Sequence, residues 1–309
     1  MSDDAWIRLH GVTLLRGGRP VLHDVSAELS GRAIGLVGAN GAGKSKLIGA
    51  LLGVLKPVSG SIAVMGLPVP TAAMEVRTRC GVMAEQAGVF PGGSGVDAVA
   101  FAGTLSGLGR REALRRAHRA LDALAVGEER YRRTAEYSTG MRQRCKLAMS
   151  LVHDPEMLIL DEPTVGLDPP GRAQFLRLIR DLRDEGRRIL VSTHIMQDAE
   201  FLCDSLLLLE RGAVAYAGSV HGLTDDGVTV VSAAGEGMDE AFADALRAGG
   251  YRIVENGAAQ VTFDTMGDKD LRAFWRAAAD RGVEVRSLGR VLPSLEDAVV
   301  NAMEEARVR

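Results

Sequence analysis

One octapeptide constrains this chain more than any other stretch: Gly38-Ala39-Asn40-Gly41-Ala42-Gly43-Lys44-Ser45. Its spacing is a glycine, four residues, then Gly-Lys-Ser. The apolar run Ala33–Val37 before it reads as a short strand, and Lys46–Leu55 after it reads as a helix. A glycine-rich turn between strand and helix lets successive backbone N–H groups of Gly38, Asn40, Gly41, Ala42 and Gly43 wrap a phosphate chain. The helix N-terminus adds favourable potential for the anion. Lys44 is then placed to reach β- and γ-phosphates, and Ser45 to coordinate Mg²⁺. The expectation is a nucleoside-triphosphate site in an α/β fold.

Length and composition bound what surrounds that site. A chain of 309 residues fits two domains, and 46% apolar content supplies a sizeable core. Lys plus Arg number 37 against 40 Asp plus Glu, a net charge of −3, which argues against a general nucleic-acid binder. Cys80, Cys145 and Cys203 lie far apart, form no metal-ligand spacing and suit a reducing compartment. The opening MSDDAWIRLH lacks a basic stretch followed by an apolar run, so no signal peptide is expected there. No apolar stretch approaches the roughly 18 residues of a membrane span.

Along the chain, strands and helices alternate. Strands are expected at Ile7–Leu15 and Val21–Leu29 around Gly17-Gly18, at Gly60–Val64 and at Cys80–Met83. Helices Asp97–Leu105, Arg111–Leu124 and Gly140–Val152 form a helical insert at about 95–152. Then come strand Met157–Leu160, helix Pro169–Asp184, strand Arg188–Ser192, helix Ile195–Leu202 and paired strands Ser205–Glu210 and Val214–Gly218. This alternation predicts a mostly parallel sheet covered by helices, with antiparallel N-terminal strands. After residue 222 the pattern becomes β, α, β, β, α, β, from Val228 to Leu288, with a trailing helix Leu295–Glu305. That is the split βαβ order of a small α+β domain. The expected domains are therefore 1–222 and 223–309, the second regulatory or oligomerising. Its trailing helix carries Leu295, Val299 and Met303 at intervals of four, a stripe for internal packing or for a second subunit.

A second phosphate-site element is Met157-Leu158-Ile159-Leu160-Asp161-Glu162. Four apolar residues bury a central strand whose C-terminal end delivers two acids beside the nucleotide. Asp161 is suited to hold Mg²⁺, and Glu162 to polarise an attacking water as general base.

With both phosphate elements in place, the chain resembles the ATP-binding cassette proteins, the nucleotide-binding subunits of transporters, over roughly residues 5–220. The discriminating piece is Tyr137-Ser138-Thr139-Gly140-Met141-Arg142-Gln143-Arg144, which resembles that family's signature before a helix. The resemblance implies that Ser138 and Gly140 cap the γ-phosphate of ATP bound by a second cassette, so that ATP is sandwiched in a homodimer. A plain helix N-cap at Ser138 is the alternative. Asp161–Asp168 resembles the segment running to the dimer seam, with Asp168 shaping it. His194, after the strand ILVST, resembles the switch histidine that contacts the γ-phosphate, and a neutral ring suits a donor role there.

The departures are specific. The family usually has threonine after the phosphate-loop serine; here it is Lys46. Arg16 stands where the adenine-stacking aromatic is expected, and a guanidinium plane can also stack on a base. In Ala84–Pro91, the loop that usually carries glutamine, either Glu85 or Gln86 fills the position, with Gln86 the candidate Mg²⁺ sensor. The signature has Thr139 at its third position and Met141 at its fifth.

The resemblance implies an ATPase that uses ATP and Mg²⁺ and works beneath separately encoded membrane permease subunits. It would sit at the cytoplasmic face of the membrane without spanning it. The signature form and a tail with Pro293–Asp297 resemble exporter-type cassettes with a C-terminal extension. The alternatives are a nucleotide-binding scaffold with weak or no hydrolysis, prompted by Lys46, Arg16 and Glu85, and a soluble member without a membrane partner.

Overall fold

Alternating burial begins at once. Strand β1 (Ile7–Arg16) buries Ile7, Leu9, Val12 and Leu14, and β2 (Arg19–Leu29) buries Leu22, Val25, Ala27 and Leu29. They form an antiparallel hairpin in which Ile7 faces Leu29 and Arg16 faces Arg19. Then β3 (Ala33–Val37) is buried at every position, as a central strand covered on both faces must be. Burying Ile34, Leu36 and Val37 contributes about 1.5–3 kcal/mol each.

The helix after the phosphate loop, α1, runs Lys44–Leu51, not Lys46–Leu55. It starts earlier because the loop leads directly into the first turn at Lys44. It stops earlier because the N–H groups of Val54 and Leu55 both turn back to the Gly49 carbonyl. Strands β4 (Ser59–Val64) and β5 (Leu67–Val69) and helix α2 (Ala73–Arg79) follow. The last two are absent from the sequence reading, because Pro68 and Pro70 give that segment the look of a loop.

Beyond β6 (Cys80–Met83) lie the three helices of the insert, α3 (Gly95–Leu105), α4 (Arg110–Ala123) and α5 (Thr139–Leu151). A reciprocal cap between Ser94 and Asp97 starts α3. The chain then alternates through β7 (Met157–Asp161), α6 (Pro169–Asp184), β8 (Arg188–Thr193), α7 (Met196–Leu202), β9 (Ser205–Glu210), β10 (Ala213–Ser219) and α8 (Val220–Thr224).

Two sheets result. The antiparallel one has order β2-β1-β4-β5, and the larger has order β10-β9-β3-β8-β7-β6. In the larger sheet β6, β7, β8, β3 and β9 are parallel and β10 is antiparallel. One apolar core joins the two sheets to α1, including Leu22, Ile34, Leu36, Leu47, Ile159 and Leu209.

The computed structural model describes residues 5–86, 88–89, 93–224, 230–257, 259–265, 271–290 and 294–308. Ala87, Phe90 and Pro91 of the glutamine-type loop, Val228 and Lys269 as element starts, and Pro293 of the tail motif lie outside them.

The chain divides into two compact units, Met1–Val220 with Asn301–Arg309, and His221–Val300. The sequence reading instead assigned all of 223–309 to the second domain. The second unit holds β11 (Val230–Glu236), α9 (Glu240–Ala248), β12 (Arg252–Gly257), β13 (Gln260–Asp264), α10 (Arg272–Arg281), β14 (Glu284–Arg290) and most of the first half of α11 (Leu295–Val308). Its sheet is antiparallel with order β12-β13-β11-β14, the split βαβ arrangement. Its core is aromatic: Phe263 stacks on Phe274 at 5.3 Å, and Phe242 meets Phe274 edge-on at 5.8 Å. In α11, Leu295 and Val299 are buried and Met303 is half-buried.

Candidate nucleotide and hydrolysis site

The site lies where the C-terminal ends of parallel strands meet helix N-termini, the usual crevice of such sheets. A cleft of about 550 Å³ is lined by Arg16, Asn40, Gly41, Gly43, Lys44, Ser45, Lys46, Glu85, Glu162 and His194, together with Val21, Ala39 and Val165. Elements far apart in sequence therefore converge on one cavity.

Two glycines make the phosphate loop possible. A Cβ on Gly38 would lie 2.4 Å from the Leu209 carbonyl oxygen, so only glycine lets the loop leave β3 against β9. Gly43 has φ +108°, and a Cβ there would lie 2.6 Å from Leu22 Cδ2. Ala42 is buried beneath the loop. Ser45 is exposed at the start of α1, and Lys46 is half-buried.

Lys44 is almost fully buried. Its Nζ donates to the Gly38 carbonyl at 2.6 Å and pairs with Glu162 Oε1 at 3.3 Å. The other carboxylate oxygen of Glu162 accepts from His194 Nδ1 at 2.9 Å. An ionised carboxylate only accepts, so Nδ1 carries the proton. A neutral His194 then presents Nε2 as an acceptor. Donation to a phosphate requires either release of the Glu162 contact or protonation of the ring, a constraint the sequence reading of a neutral donor did not foresee.

Glu162 itself has φ +49°, left-handed for a residue with a side chain, at a cost of order 1–3 kcal/mol. Its N–H is held by the Ser192 carbonyl at 3.0 Å and the Ser192 hydroxyl at 3.2 Å. Ser192 Oγ also donates to Asp161 Oδ1. The other oxygen of Asp161 accepts no hydrogen bond among the described residues. Ser45 Oγ and Asp161 Oδ2 are hard oxygen donors of the kind Mg²⁺ takes alongside nucleotide phosphates. No group of three or more His, Cys, Asp or Glu capable of holding an ion occurs among the described residues.

Other expected residues sit outside the cleft lining. Gln86 is exposed and does not line it, whereas Glu85 does. The Glu85 carbonyl accepts from Lys146 Nζ of α5 at 2.9 Å, and burial lowers the pKa of that lysine. Ser138 is the N-cap of α5, its hydroxyl accepting from the Met141 N–H at 3.3 Å. Its own proton remains available to a ligand. Gly140 is half-buried, and Asp168 is the exposed N-cap position of α6, with a side chain that makes no cap.

Sequence reasoning missed a buried tie behind the site. Asp198, 1% exposed, accepts from Thr164 Oγ1 at 2.5 Å and from Arg172 Nε at 2.7 Å. Thr164 follows Glu162 by two residues, Arg172 follows Asp168 by four, and Asp198 follows His194 by four. Gln143 of α5 donates to the Val165 carbonyl at 3.2 Å. No local sequence pattern marks these residues: Thr164 lies in the loop before α6, and Gln143 and Arg172 lie in helices that carry several other polar residues.

Comparison with known proteins bears on this arrangement. The family profile described as ABC transporter matches residues 22–165. The chain is 31% identical over 234 residues to the linearmycin resistance ATP-binding protein LnrL of Bacillus subtilis, covering 75% of each chain. It belongs to the ABC transporter family. It is also 32% identical to the Nod factor export ATP-binding protein I of Cupriavidus metallidurans, over 76% of this chain and 78% of that one. Among solved structures it resembles cbiO1 of Clostridium perfringens, part of the ABC transporter complex cbiONQ. The TM-score is 0.65, with 26% identity over 73% of this chain and 92% of that one. The cassette is thus an ATP-binding subunit of a transporter, an ATPase coupled to transport. Among the described residues no helix is long and apolar enough to cross a membrane.

Proposed function

We propose that this cassette works as a homodimer that hydrolyses ATP to drive an exporter whose membrane subunits are separate chains, at the cytoplasmic face of the membrane. The observation that carries the hydrolytic reading is the convergence of Lys44, Ser45, Glu162 and His194 on one cleft. Glu162 takes a proton from water, the water oxygen bonds to the γ-phosphorus, and the bond to the β,γ-bridging oxygen breaks to leave ADP. Lys44 follows the phosphate charge, and His194 releases Glu162 to donate its Nδ1 proton to the γ-phosphate. Mg²⁺, held by Ser45 and Asp161, would neutralise charge on the phosphate oxygens. Retention of all these groups favours hydrolysis over a decayed scaffold.

Dimerisation is supported by the position of Ser138 and Gly140, which do not line the cleft that holds Lys44 of their own chain. In a sandwich they cap the partner's γ-phosphate, and Asp168 lies along the seam. Export is supported by the relatives in linearmycin resistance and Nod factor export. The second unit carries none of the phosphate residues and is assigned to assembly or rate control. Mixing a Lys44→Ala chain with a Ser138→Arg chain tests the sandwich. Each heterodimer then keeps one intact composite site and regains part of the activity that both homodimers lack. Activity no higher than that of the separate variants, with heterodimers present, overturns it.

A further inference from the structure

Ser192 is fully buried on β8, and no role for it follows from the chain's phosphate motifs. The parallel register of β7 and β8 sets Asp161 directly beside Ser192. One hydroxyl group then serves two neighbours. Its proton goes to Asp161 Oδ1, and its oxygen accepts the N–H of Glu162 at 3.2 Å. A serine hydroxyl has one donor and two acceptor positions, so this use is self-consistent.

We propose that Ser192 is a positioning residue for the metal and the attacking water: it pins one oxygen of Asp161, leaving the other for Mg²⁺, and holds the left-handed backbone of Glu162. The inference rests on the ATPase reading of the cleft. Without the hydroxyl, Asp161 rotates about its terminal bond, and the carboxylate reaches the ion less often in the right orientation. Groups that orient a metal-binding side chain typically change metal affinity about 10–100-fold when removed. The backbone carbonyl of Ser192 still holds the Glu162 N–H at 3.0 Å in any substitution, so the effect falls on Asp161 first.

The test is Mn²⁺ binding to the full-length chain in the presence of a non-hydrolysable ATP analogue, read by electron paramagnetic resonance. Ser192→Ala, Ser192→Thr and Asp161→Asn are compared with the unaltered chain, with folding checked by thermal melting. Ser192→Ala is expected to bind Mn²⁺ about 10-fold more weakly. Its affinity for the metal-free analogue should stay within about twofold, and Ser192→Thr, which keeps the hydroxyl and suits a strand, should restore the metal. In hydrolysis, the Mg²⁺ half-saturation of Ser192→Ala should rise more than its turnover falls. If Ser192→Ala does not fold, Ser192→Cys, a weaker donor of similar size, should give an intermediate Mn²⁺ affinity.

Mn²⁺ affinity in the Ala variant, or in the Cys variant where Ala does not fold, equal to that of the unaltered chain overturns the inference. So does loss that Ser192→Thr fails to rescue. Failure of the unaltered chain to bind Mn²⁺ with the analogue, or equal binding by Asp161→Asn, would instead strike the reading of the cleft itself.

Discussion

Replacing Asp198 by alanine should destabilise the first unit by about 2–4 kcal/mol. The carboxylate is 1% exposed and takes three polar contacts, from Thr164 Oγ1 at 2.5 Å and from Arg172 Nε and Nη2, each at 2.7 Å. Removing it strands the Thr164 hydroxyl, 2% exposed, at a cost of about 1–3 kcal/mol for an unsatisfied buried group. Breaking a fully buried ion pair typically costs about 3–5 kcal/mol. Arg172, however, is 29% exposed at its side chain and can turn to water, which lowers that contribution. For a unit of this size each kcal/mol moves the midpoint roughly 2–4 °C, so a fall of about 4–16 °C is expected. An asparagine side chain keeps an acceptor for Arg172 and offers a donor to the threonine oxygen, so Asp198→Asn should lose less than half as much. The assay is differential scanning calorimetry on the full chain, following the transition that nucleotide shifts upward. A midpoint within about 2 °C of the unaltered chain for Asp198→Ala would refute the claim that this carboxylate ties the segments behind Glu162, Asp168 and His194.

Glu162→Gln should keep ATP binding in calorimetry while lowering turnover by about 10²-fold or more; undiminished turnover with membrane partners present would remove Glu162 as general base. Arg16, exposed at the rim of the cleft, should lend base stacking: Arg16→Ala should weaken ATP binding by roughly 2–5-fold and Arg16→Tyr restore it, whereas unchanged affinity in both would place the base elsewhere. The Ser94 backbone N–H and hydroxyl hold the Asp97 carboxyl below its ordinary 3.8, so its stabilisation is complete above about pH 5 and is lost as pH falls through 4 towards the folded value. Asp97→Asn should therefore show a smaller fall in urea midpoint between about pH 6 and pH 3; an equal fall would mean that the cap contributes nothing to acid sensitivity.

What the sequence made legible was local. The phosphate loop was readable because its geometry demands glycine where a Cβ would strike Leu209 or Leu22, a demand that leaves a linear spacing. The strand order of the second unit was readable because its apolar periods are short and separated by turns. The start of α1 was misplaced by two residues because nothing in the side chains marks where a loop of glycines becomes helical. Ser192 and Asp198 were not legible at all. Their partners lie 31 and 34 residues away, and only strand register and helix packing bring them together. Counting along the sequence left Glu85 and Gln86 equivalent, and only the folded loop distinguishes them, with Glu85 among the residues lining the cleft.

The same distinction governs the chemistry. Lys44, Glu162 and His194 can each be assigned from a motif, yet the motif does not say that they hold one another. One oxygen of Glu162 faces Lys44 and the other faces His194. A water that is to give its proton to Glu162 must reach one of those oxygens, and both are engaged. A triphosphate carries more charge than a single carboxylate, so on the function proposed above its binding would draw Lys44 away and free Oε1 for water. Oε1 makes no hydrogen bond in the present arrangement, only the ion pair, which makes it the oxygen that nucleotide most readily releases. On that proposal, substrate would switch on its own general base.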